Sequence, residues 1–559
     1  MDRQPPRASS DEIDLYIRTY YSLLRSSGDV RVRAFEEAHL YSRSSLHLGA
    51  EGMDPDLAAF AYSAGRLPDC MPKIRHIVLG QSLAQFQAAG YMVDQWQVVR
   101  TRGRRRPLRY DGGDTLAAFI ASASDIDDLV PILTAYQIEW NKLREHLISA
   151  RITDVTDDLA LAAALGGAEP VLRLRGALGP RSNDILADMI QHDCDVFVRL
   201  LDGSFREYQR SAHRWWNAIA PAVPAGRPVY FISSNSHSLV NLLGGYARAH
   251  REEIVAFLRR HNFEDLAPRY DAAVAVGDHA LATNILYYSL RAFIHHPSGD
   301  ANSRMQQVQD WDRAAGVSAI ASPGKIDVDA QVIELSKLRP ENLDPRVHVP
   351  GIERIVESDA VLINIDYPLG MAAYHHLNSV ALGVEDLRGV YIMGKAATLN
   401  GRVGDVMISK VIHDEHSSNT YLFRNALTAG DVQPFMKHGT VLDNQKALTV
   451  RSAFLQNREY MDVFYREGYT VMEMEAGPYL SAAYETAEPR RHPKDELVSL
   501  VDQSQFELGI IHYASDTPYS RRQSLLSKSL SYFGMESTYG CAIAIARRIF
   551  TSELARLPR

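Results

Sequence analysis

Six short apolar runs, separated by helical stretches, constrain the fold of this chain more than any other feature. They are VYFIS at 229–233, AVLINI at 360–365, GVYIM at 389–393, DVMIS at 405–409, YTVMEM at 469–474 and FELGIIHY at 506–513. They are rich in β-branched and aromatic residues, and most hold three or more apolar residues in succession rather than in alternation. Runs of this kind read as strands buried on both faces, which happens where helices cover a sheet. The second part of the chain is therefore expected to be an α/β domain with a central sheet.

The first 220 residues have a different texture. Apolar residues at helical spacing predict helices over 12–27, 71–90, 124–148 and 183–218. In the third of these, Pro131 is tolerated only in a first turn, so Asp127 or Asp128 is the expected cap rather than Ser124. The segment PAVPAGRP at 221–228 breaks the pattern. These features predict a mainly helical N-terminal domain over 1–220 and a second domain over 225–559. The second domain carries a helical insertion at about 250–345, which ends in a run containing Pro340, Pro345 and Pro350.

The 559 residues are ample for several domains. Lys and Arg number 60 against 68 Asp and Glu, a net −8, which argues against a general polyanion binder. One local exception is RTRGRRRPLR at 100–109, with six arginines. It reads either as a solvated loop or as a phosphate or nucleic-acid patch; lacking interleaved aromatics, nucleic acid is not an expected partner. Cys70, Cys194 and Cys541 are far apart, and no metal-type spacing occurs, so neither a disulfide framework nor a metal or other cofactor is expected. The polar opening MDRQPPRASSDEID is no signal peptide, and no apolar run reaches the length of a membrane span. The expectation is a soluble cytoplasmic protein.

Three segments carry chemistry. In GKAATL at 394–399, small residues at a strand end, Gly394 among them, let a ligand approach the backbone, or simply make a tight turn. In VMEMEAG at 471–477, Glu473 and Glu475 fall on one strand face, with Met472 and Met474 opposite. Two carboxylates on an apolar strand are costly unless satisfied. A ligand with vicinal hydroxyls would satisfy them, and so would a solvated edge. In IIHYASDT at 510–517, an apolar strand ends in Ser515-Asp516. Asp516 is either a helix cap or a general acid.

Taken in order, VGDVMIS, MEMEA and ASD resemble the nucleoside phosphorylase / nucleosidase superfamily, and most closely the AMP nucleosidases. AVLINIDYPLGMAAYHHL at 360–377, YIMGKAATL at 391–399, Asp414-Glu415-His416, Gly439-Thr440-Val441 and PVYFISSNSHSLVNLL at 228–243 run in parallel with that family. The resemblance covers roughly 225–249 and 356–559. It implies a central mixed sheet flanked by helices, a homo-oligomer, and a small-molecule nucleoside or nucleotide as ligand, with inorganic phosphate as a further partner if the reaction is phosphorolysis.

Carried over residue by residue, the resemblance gives Glu475 the sugar hydroxyls and puts Met474 under the sugar, with Glu473 beside it. Asp516 would protonate or hold the leaving base, positioned by Ser515, and Phe454 would stack on the base. Such an acid contributes about 10²–10⁴-fold to rate, while a carboxylate at the sugar offsets developing positive charge. The chain also departs from the family. Asp366-Tyr367-Pro368 replaces a Gly-x-Gly turn, and proline offers no N–H while aspartate repels anions. Lys395 stands where Ser, His or Thr is more usual, able to bind a substrate anion or to pair with Asp366. His237, in the first-strand loop, either orients water or is structural. The expected function is an N-glycosidase hydrolysing a purine nucleoside or nucleotide. A purine nucleoside phosphorylase and a non-catalytic nucleotide-binding or assembly module are the alternatives.

Overall fold

The computed structural model describes residues 10–26, 28–101, 103, 106–296, 301–322, 328–501, 504–517 and 530–558. Arg102, Arg104 and Arg105 of the arginine run lie outside the described residues. The protein is a mixed α/β molecule in which helices flank two sheets.

Each of the six apolar runs forms a strand of the larger sheet. Val229–Ser234 is buried along its whole length, as is Val361–Asp366, and the two pair in parallel. Leu387–Thr398 runs parallel to Val229–Ser234 on one side and to Glu507–Asp516 on the other. Its far end bends to meet Tyr469–Glu473. Glu507–Asp516 also pairs with Val406–Asp414, which pairs with Val441–Thr449, which pairs with Tyr469–Glu473. Five strands therefore close on themselves, and Leu399, Leu448, Val450 and Met472 pack together as one apolar cluster against Phe464. The bulge between Ala396 and Ala397, where Ala397 pairs with Asp516, lets one strand serve both the open sheet and the ring.

The helical insertion is helical only through Ala301–Ala314. Val317–Ile320 and Ala330–Glu334 then form an antiparallel pair that extends the sheet beyond Val361–Asp366. These two strands are short, four and five residues, and carry no long apolar run to announce them.

The N-terminal part is rich in helices, as expected, but a six-stranded sheet organises them: Asp29–Arg31, Phe197–Leu200, His76–Gly80, Thr115–Phe119, Leu108–Tyr110 and Gln97–Val99, in that spatial order. The helix expected over 71–90 is replaced by the buried strand His76–Gly80 and the short helix Leu83–Ala88. The stretch 183–218 is likewise split into Ser182–Gln191, the strand Phe197–Leu200 and Phe205–Ile219. That last helix bridges the two parts: Tyr208 near its start joins the N-terminal core, and its far end packs with the larger sheet. Trp215 and Trp216 join the core that includes Phe231 and Ile363, and the Trp215 indole donates to Val328 O at 2.9 Å.

The long helix Ala123–Ser149 starts at Ser122, not at Asp127 or Asp128. Asp125 accepts from Ser122 N at 3.2 Å and Ala121 N at 2.7 Å, closing a capping box. Pro131 lies inside the helix. Losing a hydrogen bond there costs about 3 kcal/mol, and continuous burial from Ser124 to Trp140 outweighs it.

Candidate active site

One cavity of 2310 Å³ collects the ends of several of these strands. Ser236, His237, Asp366, Tyr367, Pro368, Lys395, Ala397, Glu473, Met474, Glu475, Ser515 and Asp516 all line it. Strands of an open α/β sheet leave their side chains and backbone groups free at their carboxyl ends, where a ligand can approach. Seven of the nine residues predicted for the site, His237, Lys395, Glu473, Met474, Glu475, Ser515 and Asp516, therefore reach one space.

Asp516 is the last residue of Glu507–Asp516 and is 5 % exposed. Burial pushes its carboxyl up to about 6, against the opposing charges of Arg66 and Lys395. A carboxyl in that range can hold and release a proton near neutrality. Ser515 donates to Ala396 O at 3.3 Å, fixing the strand end beside it. Lys395 is exposed on the neighbouring strand and lines the cavity.

Glu475 and Glu473 do not share a strand face. The strand ends at Glu473, and Glu475 occupies the cap position of helix Ala476–Ala487. Glu473 is turned to structural use. It accepts from Glu475 N and Ala476 N, both at 2.7 Å, and from the Thr449 hydroxyl. Burial pushes it up to about 7 in spite of these donors. His512 Nε2 lies 4.0 Å from Glu473, and its own affinity for a proton is lowered to about 4 by burial. Glu475, half-buried, accepts from Met474 N at 3.3 Å and lines the cavity.

Two expected positions fall elsewhere. Phe454 is fully buried in the N-terminal core, edge-on to Tyr62 at 5.2 Å and against His39 and His47. It cannot stack on a base there, although Ala453 and Gln456 beside it do reach the cavity. Gly394 sits one residue behind the lining, where an added Cβ would only touch His512 at 3.8 Å. His237 lines the cavity, and its backbone N–H donates to Asn235 Oδ1 at 3.1 Å at the start of helix Ser238–Gly244.

Arg66 was not legible in the sequence as a site residue. It follows helix Leu57–Ala64 of the N-terminal part, with its guanidinium 3.4 Å from the Tyr62 ring centroid and donating to Tyr62 O at 3.1 Å. Gly103, inside the arginine run, donates to Gly65 O at 2.8 Å and packs on the Arg66 stem. Of the described residues of the run, Arg100, Thr101 and Gly103 line the cavity. Arg106, which also lines it, is buried between Asp125 at 3.1 Å and Asp128 at 3.0 Å, an ion cluster that anchors the loop rather than a free cation.

The two parts of the chain meet at a second polar cluster. Ser124 accepts from Met371 N at 2.9 Å, and its hydroxyl lies 3.3 Å from His416. Asp414 binds His416 at 2.9 Å, and Arg451 donates to Glu415 from its backbone at 3.0 Å and to the Glu415 carbonyl from its side chain at 3.1 Å. Asp127, held by Tyr20, acts electrostatically on Arg451. The motif Asp414-Glu415-His416 thus works at the junction. Among the described residues no group of three or more His, Cys, Asp or Glu is placed to hold a metal ion. Among them, too, no helix is long and apolar enough to cross a membrane.

Comparison with solved structures returns nucleosidases and phosphorylases of low similarity. A 5′-methylthioadenosine/S-adenosylhomocysteine nucleosidase from Neisseria meningitidis is 12 % identical, over 44 % of this chain and 95 % of its own, with a TM-score of 0.28. The corresponding S. pneumoniae enzyme is 10 % identical, over 44 % and 94 %, at 0.28. A uridine phosphorylase from Vibrio fischeri is 8 % identical, over 44 % and 87 %, at 0.29. No curated protein matches the sequence. One family model spans residues 32–551, running through both sheets and the cavity between them, and by that match the chain belongs to a family of unknown function (DUF6909).

Proposed function

We propose that this protein cleaves the N-glycosidic bond of a purine nucleoside or nucleotide, with water as nucleophile. The observation that carries the reading is that Asp516, its carboxyl raised to about 6, and Glu475 open onto one cavity from strand ends that flank Leu387–Thr398 on either side. In this reading Asp516 delivers a proton to the departing base, whose leaving ability rises as negative charge on the ring is neutralised. Glu475 accepts hydrogen bonds from the sugar hydroxyls and offsets positive charge developing on the ring. Met474 supplies the apolar floor, and Ser515 steadies the strand end. Glu473 acts behind Glu475, holding the backbone from which it projects.

Phosphorolysis is the second reading, favoured by the two cations, Arg66 and Lys395, that act on the Asp516 end of the cavity. Against it stands Asp366-Tyr367-Pro368 in the lining, where an anion would meet a carboxylate and a residue without an N–H. A binding module of the same architecture would hold a nucleotide without turnover.

Base release followed by liquid chromatography from adenosine, inosine, guanosine and their monophosphates, with and without inorganic phosphate, decides among them. Release without phosphate is the expected result. Release only with phosphate moves the assignment to phosphorolysis. No release from any compound by folded protein overturns the catalytic reading.

A further inference from the structure

The cavity is larger than one nucleoside requires. Small-molecule sites typically occupy about 300–1,000 Å³, and this one has 2310 Å³. Past His237 it continues between helices Ser238–Gly244, His279–His295 and Ala301–Ala314, where Val240, Tyr246, Phe263, Tyr288, Met305 and Asp312 line it. Most of that lining is apolar or aromatic. The polar neighbours are already engaged: Asn241 donates to the Tyr539 hydroxyl at 2.8 Å, and Tyr287 donates to Asp344 at 2.8 Å.

Asp312 is the exception. Its carboxylate has no hydrogen bond or ion pair among the described residues, and Gly244 leaves the room it occupies, since a Cβ there would lie 2.8 Å from Asp312 Oδ1. The neighbouring Tyr246 hydroxyl, buried, also has no hydrogen-bond partner among the described residues. Burial alone pushes the Asp312 carboxyl up to about 7. Arg291 and His295 line the cavity farther along helix His279–His295, but no neighbouring charge offsets that burial. A half-buried carboxylate with no partner of its own among the described residues favours a positive one. The Tyr246 ring near it adds attraction for a cation.

We propose that this end of the cavity binds a small organic cation, an alkylammonium whose charged group pairs with Asp312. Its alkyl part lies against the apolar lining of this end, Val240 and Met305, with Tyr246 beside the charge. The site is independent of the glycosidase reading, since its occupant need not be the molecule that reacts at Asp516.

Isothermal titration of the full chain with n-butylammonium chloride, at about pH 8 so that Asp312 is ionised, tests this directly. Saturable binding is expected, weakened about tenfold or more in Asp312→Asn. The uncharged 1-pentanol, of similar size, should bind at least about tenfold more weakly. At about pH 7 binding should release a fraction of a proton, read by repeating the titration in buffers of different ionisation heat. Tyr246→Phe, which keeps the ring and removes the hydroxyl, serves if Asp312→Asn does not fold, and should retain cation binding with the same preference over 1-pentanol. No saturable heat, equal affinity for 1-pentanol, or undiminished binding by folded Asp312→Asn overturns the proposal. None of these outcomes bears on base release.

Discussion

Arg66 and Asp516 come from opposite ends of the chain yet line one cavity, and the arginine's charge opposes the burial that raises the Asp516 carboxyl. The N-terminal part therefore takes part in setting the protonation of the residue proposed to donate the proton. Arg66→Ala removes one of the two opposing charges and leaves Lys395. The Asp516 carboxyl should then titrate above its present value of about 6. If protonated Asp516 is the active form, the alkaline limb of kcat/KM moves to higher pH. A pH–rate profile of the variant checks this, and a limb that stays in place or moves to lower pH refutes the electrostatic link.

Asp516→Asn separates catalysis from stability. A carboxyl raised to about 6 in the folded protein binds its proton more tightly there than in the unfolded chain. The stability this gives is complete below the ordinary carboxylate range and is lost as pH rises through about 6. Asparagine cannot ionise, so above about pH 7 the variant should be at least as resistant to urea as the parent. Base release should fall by about 10²–10⁴-fold. A variant that is less stable than the parent at that pH would show Asp516 to be satisfied by contacts other than those described.

Glu473 and Glu475, two residues apart, should respond oppositely. Glu473→Ala strips the acceptor from the buried Ala476 N–H and the half-buried Glu475 N–H at the start of helix Ala476–Ala487, and from Thr449. A loss of about 2–4 kcal/mol in unfolding free energy is expected. Glu475→Gln should leave the denaturation midpoint nearly unchanged and lower kcat/KM. Parallel thermal denaturation and base-release assays distinguish them, and equal destabilisation by both would contradict the division of roles.

What the sequence made legible was the larger sheet. Val229–Ser234, Val361–Asp366 and Glu507–Asp516 are buried on both faces, so each carries a compact apolar stretch and the strand stands out. The ends of those strands carried Asp516 and Ser515 to the site with them. The smaller sheet was hidden because four of its strands have only three or four residues, too few to show a period. His76–Gly80 was absorbed into a helical pattern because its short apolar run, Ile77 to Leu79, fits either period. Pro131 misplaced a cap, although Ser122 and Asp125 have the spacing of a capping box. Phe454 and Arg66 depended on packing between distant segments, to which local pattern is blind: one joined the N-terminal core, the other left it for the cavity.

Gly370 is needed where the two parts meet. Its φ is +52°, and a Cβ there would overlap the Ser124 side chain that accepts from Met371 N. Both the backbone conformation and the space disfavour any side chain. Gly370→Ala should cost about 2–4 kcal/mol, from strain and from displacing helix Ala123–Ser149. Ser124→Ala, which orphans the Met371 N–H and removes the hydroxyl's contact with His416, should cost about 1–2 kcal/mol. Urea denaturation compares the two; a Gly370→Ala as stable as the parent would mean that the junction yields at no cost.

Glu415 makes that junction sensitive to alkali. Burial pushes its carboxyl up to about 8, helped by Asp414 and Asp14 and opposed by the Arg451 backbone and side chain. Asp127 also acts on Arg451, His416 binds Asp414, and Tyr20 holds Asp127, so one arginine serves several buried acids. The folded state keeps a proton on Glu415 that the unfolded chain gives up in the ordinary carboxylate range. Its contribution to stability is complete below that range and is lost as pH rises through about 8. Glu415→Gln keeps an oxygen to accept the Arg451 N–H and removes the titration. The parent should therefore lose more resistance to urea between about pH 6 and pH 9 than the variant does. An unchanged slope in Glu415→Gln would place the alkaline sensitivity at another member of the cluster, with Asp127, likewise raised by burial, the next residue to substitute.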